Sequence, residues 1–297
     1  MISLRNRGVG TALVTPFTPD GSVDLLTMRS LVKRQIEGGV DMLIPCGTTG
    51  EGVTLTESEY QQILEVVVSE AEGRVPVIAG AGSNSTAITI RNARMATECG
   101  VDAVLIVGPY YNKPTQEGYY QHFRSVAEST DLGVVLYNVP GRTSGNMTAQ
   151  TQLRLAEIDN IIGTKEASAN FSQIMEILRD RPEHFSVLSG DDNLVLAQLA
   201  IGMDGVISVV SNEVPREFSE MVHSWTAGDH ARARRIHYRH LKLMEINFIE
   251  SNPIPVKTAM SMMGLLAEEF RLPLTRMGEN NAALLRGALQ ELDLLQQ

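Results

Sequence analysis

Cysteine is scarce in this chain of 297 residues: only Cys46 and Cys99 occur. Two thiols build neither a disulfide-stapled scaffold nor a cysteine-rich metal centre, and both are expected to be reduced. Cys46 keeps a second reading as a catalytic thiol, because it abuts the glycine-rich loop that starts at Gly47. No run of about 18 apolar residues exists, so no membrane-spanning helix is expected. The opening stretch Met1–Arg7 lacks the apolar segment of an export leader, which makes the cytoplasm the expected location. Positive charge is also in deficit, with 25 Lys and Arg against 35 Asp and Glu and a formal charge of −10. That balance argues against nucleic acid or an anionic membrane surface as partner.

What is present is alternation. Short aliphatic runs lie at Thr11–Thr15, Met42–Cys46, Val75–Ala79, Ala103–Val107, Gly133–Tyr137, Ile161–Lys165, Ser186–Ser189 and Val206–Val210. Between them run segments of helical spacing: Leu25–Glu37, Glu59–Ala71, Ala87–Cys99, Gly118–Ala127, Ala149–Ile158, Phe171–Arg179 and Leu194–Ile201. Strands apolar on both faces suit a buried parallel sheet. Eight alternations imply an α/β fold, a (β/α)₈ TIM barrel, rather than an open doubly wound sheet. No Gly-x-Gly-x-x-Gly follows the first strand, so no dinucleotide cofactor is expected. Gly39-Val40-Asp41, Gly100-Val101-Asp102 and Gly202-Met203-Asp204 form a weak repeat, each between a helix and a strand. Glycine there is expected to close the helix in the left-handed conformation.

After about Trp225 the strand pattern stops, and Asp229–Phe248, Ile254–Met263 and Glu279–Leu295 read as helices. The expected organisation is a catalytic barrel over 1–224 and a C-terminal helical extension over 225–297. The basic stretch His230–His240 invites a nucleic-acid or metal role, but its apolar spacing reads as an amphipathic helix with a charged outer face.

Chemistry in such a barrel sits at the carboxyl ends of the strands. Those ends carry a lysine, tyrosines, a pair of threonines and an arginine, without the paired histidines of a metallohydrolase. Of five lysines, Lys165 alone ends an aliphatic strand. Apolar surroundings lower a lysine pKa and free the amine to attack a carbonyl. The plain alternative is an ion pair with Glu166, but neighbours on a strand face opposite sides. Lys257, after Asn252-Pro253-Ile254-Pro255-Val256, reads as the structural partner of a carboxylate.

Tyr137 ends the preceding strand and offers a hydroxyl to relay protons. Thr48 and Thr49, between Gly47 and Gly50, form either a plain tight turn or a seat for the carboxylate of a small keto acid. Arg142 is a surface arginine or a carboxylate binder at the same mouth.

The ordered stretches Leu13–Phe17, Gly47–Glu51, Pro109–Tyr111, Tyr137–Pro140, Gly163–Ala167, Ser189–Asp192 and Ser251–Lys257 carry a resemblance over almost the whole chain. The sequence resembles the dihydrodipicolinate synthase / N-acetylneuraminate lyase family of class I aldolases. The resemblance implies that Lys165 forms an imine with pyruvate and that Thr48 and Thr49 bind its carboxylate. It implies a hydroxyl relay of Thr49, Tyr137 and Tyr111, the last from a neighbouring subunit, and backbone lining by Gly190 and Ile207. The run Tyr137–Thr143 and the stretch Lys165–Ser168 look like the synthase branch, in which Arg142 would hold the carboxylate of L-aspartate 4-semialdehyde.

The implied partners are pyruvate and that aldehyde, in a homotetramer built as a dimer of dimers, with no metal or organic cofactor. A sialic-acid or keto-deoxy-sugar acid lyase of the same family, or a non-catalytic keto-acid sensor, are the rival readings. One departure stands out. Lysine-inhibited members carry a serine–alanine pair, a histidine and a glutamate where this chain has Gly52 and Val53, Glu57 and Tyr60, and Ile88, while Asn84 and Tyr110 are kept. Weak or absent inhibition by lysine is therefore expected.

Overall fold

The computed structural model describes residues 2–4 and 8–295. Met1, Arg5, Asn6 and Arg7, in the stretch read for an export leader, lie outside the described residues. In chain order the elements are β1 (Gly8–Ala12), α1 (Leu25–Glu37), β2 (Met42–Ile44), α2 (Glu57–Ala71), β3 (Ile78–Gly80), α3 (Thr86–Glu98) and β4 (Ala103–Val107). They continue through α4 (Gln116–Ala127), β5 (Gly133–Asn138), α5 (Pro140–Thr143), α6 (Ala149–Leu155), β6 (Ile161–Glu166), α7 (Phe171–Asp180) and β7 (Ser186–Ser189). Then follow α8 (Val195–Ala200), β8 (Gly205–Ser208), α9 (Pro215–Thr226), α10 (His230–Ile246), α11 (Ile254–Met262) and α12 (Glu279–Glu291).

The eight strands pair in parallel in the order β2-β1-β8-β7-β6-β5-β4-β3. A Leu43–Val77 bridge, with Leu43 N donating to Pro76 O at 3.0 Å, joins the two ends. The result is the TIM barrel, followed by the C-terminal helices. Alternation along each strand divides the core in two. Ala12, Met42, Ile44, Ile78, Leu105, Val135, Ile162, Leu188 and Ile207 fill the barrel interior. Val9, Leu43, Ala79, Val104, Val134, Ile161, Val187 and Val206 face the helices.

The glycine repeat has a physical content beyond helix termination. Gly39, Gly100 and Gly202 all have positive φ, at 82°, 79° and 104°. In each copy the aspartate carboxylate accepts from a backbone N–H of the adjoining chain at 2.8 Å: Val9, Val77 and Val187 respectively. The aspartate's own N–H returns a bond to the carbonyl of the same valine. Each copy thus clamps the start of one strand to its neighbour at the foot of the barrel.

Two boundaries depart from the sequence pattern. The first strand is Gly8–Ala12 rather than Thr11–Thr15, because the close approach of β2 there suits glycine: a Cβ on Gly10 would lie 2.6 Å from Ile44 Cδ1. Helix α9, absent from the periodicity reading, follows β8 and packs on β1, α1 and α10. It ends at Thr226, so the division at residue 225 is a proposal that falls inside its last turn.

Candidate active site

The carboxyl ends of the strands open into a cavity of about 780 Å³. Lys165, in β6, pairs in register with Tyr137 of β5, and its Nζ lies 4.6 Å from the centre of the Tyr137 ring. The lysine is only 5% exposed. Burial is the main cause that lowers its pKa from 10.5 to about 8. Asp192 and Asp191 oppose that shift, and Arg142 adds to it.

Glu166 points the other way, as strand alternation requires. Its carboxylate is fully buried between barrel and helices and accepts from Asn138 Nδ2 at 3.0 Å, Gln152 Nε2 at 2.8 Å, Gln173 Nε2 at 3.3 Å and Ser168 N at 3.0 Å. The charge is met by donors on its own side, and Lys165 is not among them.

Burial raises the Tyr137 phenol to about 12, with Arg142 lowering it, Asp191 raising it, and a hydrogen bond to Thr48 lowering it. Tyr137 therefore remains a hydroxyl at neutral pH, able to pass a proton on and recover it. Thr48 is exposed at the cavity wall, whereas Thr49 is buried.

Their loop is indeed a tight turn. Glu51 N donates to Thr48 O at 3.1 Å, Gly52 N to Gly47 O at 3.1 Å, and Thr15 Oγ1 to Gly50 O at 2.6 Å. The turn and the cavity wall are the same structure. Gly190 backs the lysine, since a Cβ there would lie 3.1 Å from Lys165 Cε and 2.6 Å from Ala167 Cβ. Arg142, in α5, stands at the mouth and donates from Nη2 to the carbonyl of Asn252 at 3.3 Å.

The cavity wall thus joins Lys165, Tyr137, Thr48, Thr49, Arg142 and Gly190. Tyr111 is 89% exposed with φ 73° and is not part of the cavity wall of its own chain. Ile207 is wholly buried in the inner barrel layer, behind the cavity wall. Cys46 has φ 58° and borders the cavity, but burial drives its thiol far up. A thiolate nucleophile is therefore not available, and the catalytic-cysteine reading is set aside.

Three residues lie in stretches that the sequence singled out but were given no role of their own. Asn252, in the segment before α11, reaches into the wall and donates from Nδ2 to Thr49 Oγ1 at 2.9 Å. Asp191 borders the cavity with its carboxyl pushed up to about 6 by burial. Glu51 is the carboxylate that Lys257 pairs with, at 2.6 Å. In α10, His237 and His240 are buried and His240 Nδ1 bonds the Ile236 carbonyl, while Arg232, Arg234, Arg235 and Arg239 face outward, as an amphipathic helix demands.

A sequence profile of the Dihydrodipicolinate synthetase family matches residues 5–292. The 4-hydroxy-tetrahydrodipicolinate synthase of Koribacter versatilis (strain Ellin345) is 51% identical over 98% of this chain and 98% of its own. The crystal structure of dihydrodipicolinate synthase from Aquifex aeolicus superposes with a TM-score of 0.95 at 45% identity, covering 98% of this chain and 100% of that one. The chloride-inhibited dihydrodipicolinate synthase from Acinetobacter baumannii, complexed with pyruvate, gives a TM-score of 0.95 at 41% identity, over 97% and 99% of the two chains.

Proposed function

We infer the reaction from one premise: this chain belongs to the dihydrodipicolinate synthetase family. It is a lyase that condenses pyruvate with L-aspartate 4-semialdehyde to 4-hydroxy-tetrahydrodipicolinate, on the route to diaminopimelate and lysine. The observation that supports our assignment of roles is the register of Lys165 with Tyr137 inside a cavity whose mouth carries Arg142.

In this reading the neutral Lys165 amine adds to the pyruvate carbonyl while Thr48 and Thr49 hold the carboxylate. Gly190 contributes backbone to the same pocket, and Ile207, expected there too, lies in the layer behind the wall and only supports it. The carbinolamine loses water as Tyr137 and its hydrogen-bond partner Thr48 move its protons, with Thr49 and Tyr111 the further hydroxyls of the relay, leaving an iminium. Loss of a methyl proton gives the enamine, whose carbon attacks the aldehyde. The amine of the second substrate then adds to the iminium carbon, closes the ring and releases the lysine. The iminium itself is the electron sink, so the residues on hand supply the chemistry.

Tyr111 fits that relay only if another chain receives it. Its 89% exposure beside the mouth supports a tight dimer in which it enters the partner's cavity. We propose such dimers, paired into a homotetramer, as the working unit, and a cytoplasmic location with Cys46 and Cys99 both free.

Arg142 would hold the carboxylate of the aldehyde by a charge-assisted pair. Arg142→Ala should lower kcat/KM for L-aspartate 4-semialdehyde by about 10- to 100-fold, the worth of such a bond. Borohydride trapping of pyruvate on the variant should persist. Unchanged aldehyde kinetics, or faster cleavage of sugar acids than condensation in the wild type, would overturn the assignment.

The outer end of the cavity bears on inhibition by lysine. Val53, Glu57, Tyr60, Asn84, Ile88, Arg91 and Tyr110 border it. Glu57 is already paired with Arg91 at 2.9 Å, and Ile88 offers an ammonium nothing to bind. Millimolar lysine should leave the steady-state rate unchanged, and inhibition at sub-millimolar lysine would contradict this.

A further inference from the structure

We propose that Asp191 receives the ammonium group of L-aspartate 4-semialdehyde and so selects an amino aldehyde over an amine-free one. The inference rests on the reading in which that amine adds to the iminium at Lys165. Asp191 follows Gly190 in the turn after β7, and both border the cavity. The Asp191 N–H donates to Ser189 Oγ at 3.0 Å, which pins the turn. Gly190 lies against the lysine, since a Cβ there would come within 3.1 Å of Lys165 Cε. Asp191 is near enough that its charge and that of Lys165 each favour the other.

The Asp191 carboxylate is poorly used within the chain. Its Oδ2 is enclosed without a hydrogen-bond partner, and so is the nearby Gln198 Nε2. Burial pushes the carboxyl up to about 6, with Lys165 lowering it and Asp192 raising it. It is therefore an anion at pH 8. Among the described residues, two carboxylates border the cavity, Asp191 and Glu57. Glu57 is paired with Arg91 at 2.9 Å at the outer end. Asp191 is the one left unpaired.

The second substrate brings an aldehyde, a carboxylate and an ammonium. The enamine takes the aldehyde, and Arg142 is read as taking the carboxylate. The ammonium enters a site where Arg142 and, as the iminium, Lys165 repel it, and a charge leaving water without a partner is costly. Its nitrogen must also finish bonded to the carbon that Lys165 Nζ carries. A carboxylate beside Lys165 meets both needs, and Asp191 is the one the wall provides.

The test compares L-aspartate 4-semialdehyde with 4-oxobutanoate, the same chain without the amine, used as a competitive inhibitor against it. Asp191→Asn keeps the shape and removes the charge. It should lower kcat/KM for the amino aldehyde by about 10- to 100-fold, the worth of a charge-assisted bond, and change the inhibition constant of 4-oxobutanoate by no more than about twofold. Arg142→Ala, by contrast, should weaken both compounds, because both carry the carboxylate. Borohydride trapping of pyruvate should be at least as fast in Asp191→Asn, since loss of the anion leaves more of the Lys165 amine neutral. Asp191→Glu keeps the charge but moves it by one methylene, and it carries the same comparison if the asparagine variant does not fold.

Unchanged kcat/KM, equal weakening of both compounds, or slower trapping would overturn the proposal and leave Asp191 a neighbouring charge of the lysine. A wild-type enzyme that does not condense the amino aldehyde would overturn the reading beneath it, whatever the variants do.

Discussion

Lys165→Ala is expected to lower kcat by on the order of 10⁴ or more, the scale seen when a covalent nucleophile is removed. Borohydride reduction with pyruvate should add mass at Lys165 in the wild type and nowhere in the variant. Lys257, the other buried lysine, is no substitute, because it lies outside the cavity wall and is committed to Glu51. The same residue fixes the acid side of the pH profile. Burial lowers the Lys165 pKa to about 8, and the neutral amine is the reactive form. It is lost as pH falls, so kcat/KM for pyruvate should drop toward tenfold per pH unit below 8. About one lysine in ten is then neutral at pH 7, against roughly one in three thousand at the ordinary value of 10.5. A profile flat from pH 6 to 9, or a trapped adduct in Lys165→Ala, would remove Lys165 from the mechanism.

The barrel was legible because its strands are apolar on both faces and its helices are not. Lys165 was legible for the same reason: a lone amine after Ile161-Ile162-Gly163-Thr164 is conspicuous, and strand pairing puts Tyr137 beside it. Strand alternation alone also puts Glu166 and Lys165 on opposite faces. The Gly-x-Asp repeat was visible as a pattern, but the role of its aspartates depends on bonds to a neighbouring strand that no local rule predicts. Asn252 lay deeper still, since its partners Thr49 and Arg142 are 203 and 110 residues away. Helix α9 was missed because Pro215 opens it and its apolar stripe, Phe218, Met221 and Val222, is short. Tyr111 marks a different limit: one chain contains the residue but not the cavity that we propose it completes.

Lys257→Met should destabilise the fold by about 3–5 kcal/mol, the cost of stranding a buried charge. Lys257 and Glu51 are both nearly inaccessible, and their Nζ and Oε1 are 2.6 Å apart. The ammonium also lies 4.4 Å from the centre of the Phe17 ring and 4.9 Å from that of Phe270. Glu51 Oε2 accepts from Arg271 N at 3.2 Å, so the carboxylate is held on two sides by the extension. Removal of Lys257 leaves the carboxylate in an apolar site with one weak donor. For a chain of this size that loss should lower Tm by about 5–15 °C. Glu51→Gln in the Lys257→Met background removes the stranded charge and should recover much of it, since replacing both members of a buried pair is often near neutral. Activity should not recover in step with stability. Glu51 sits in the left-handed region at φ 53° two residues after Thr49, and its ion pair fixes the turn that carries Thr48 and Thr49. The double variant should therefore melt near the wild type yet bind pyruvate more weakly. Equal melting of Lys257→Met and wild type would show that the pair does not hold the loop, and full recovery of the pyruvate KM in the double variant would assign it to stability alone.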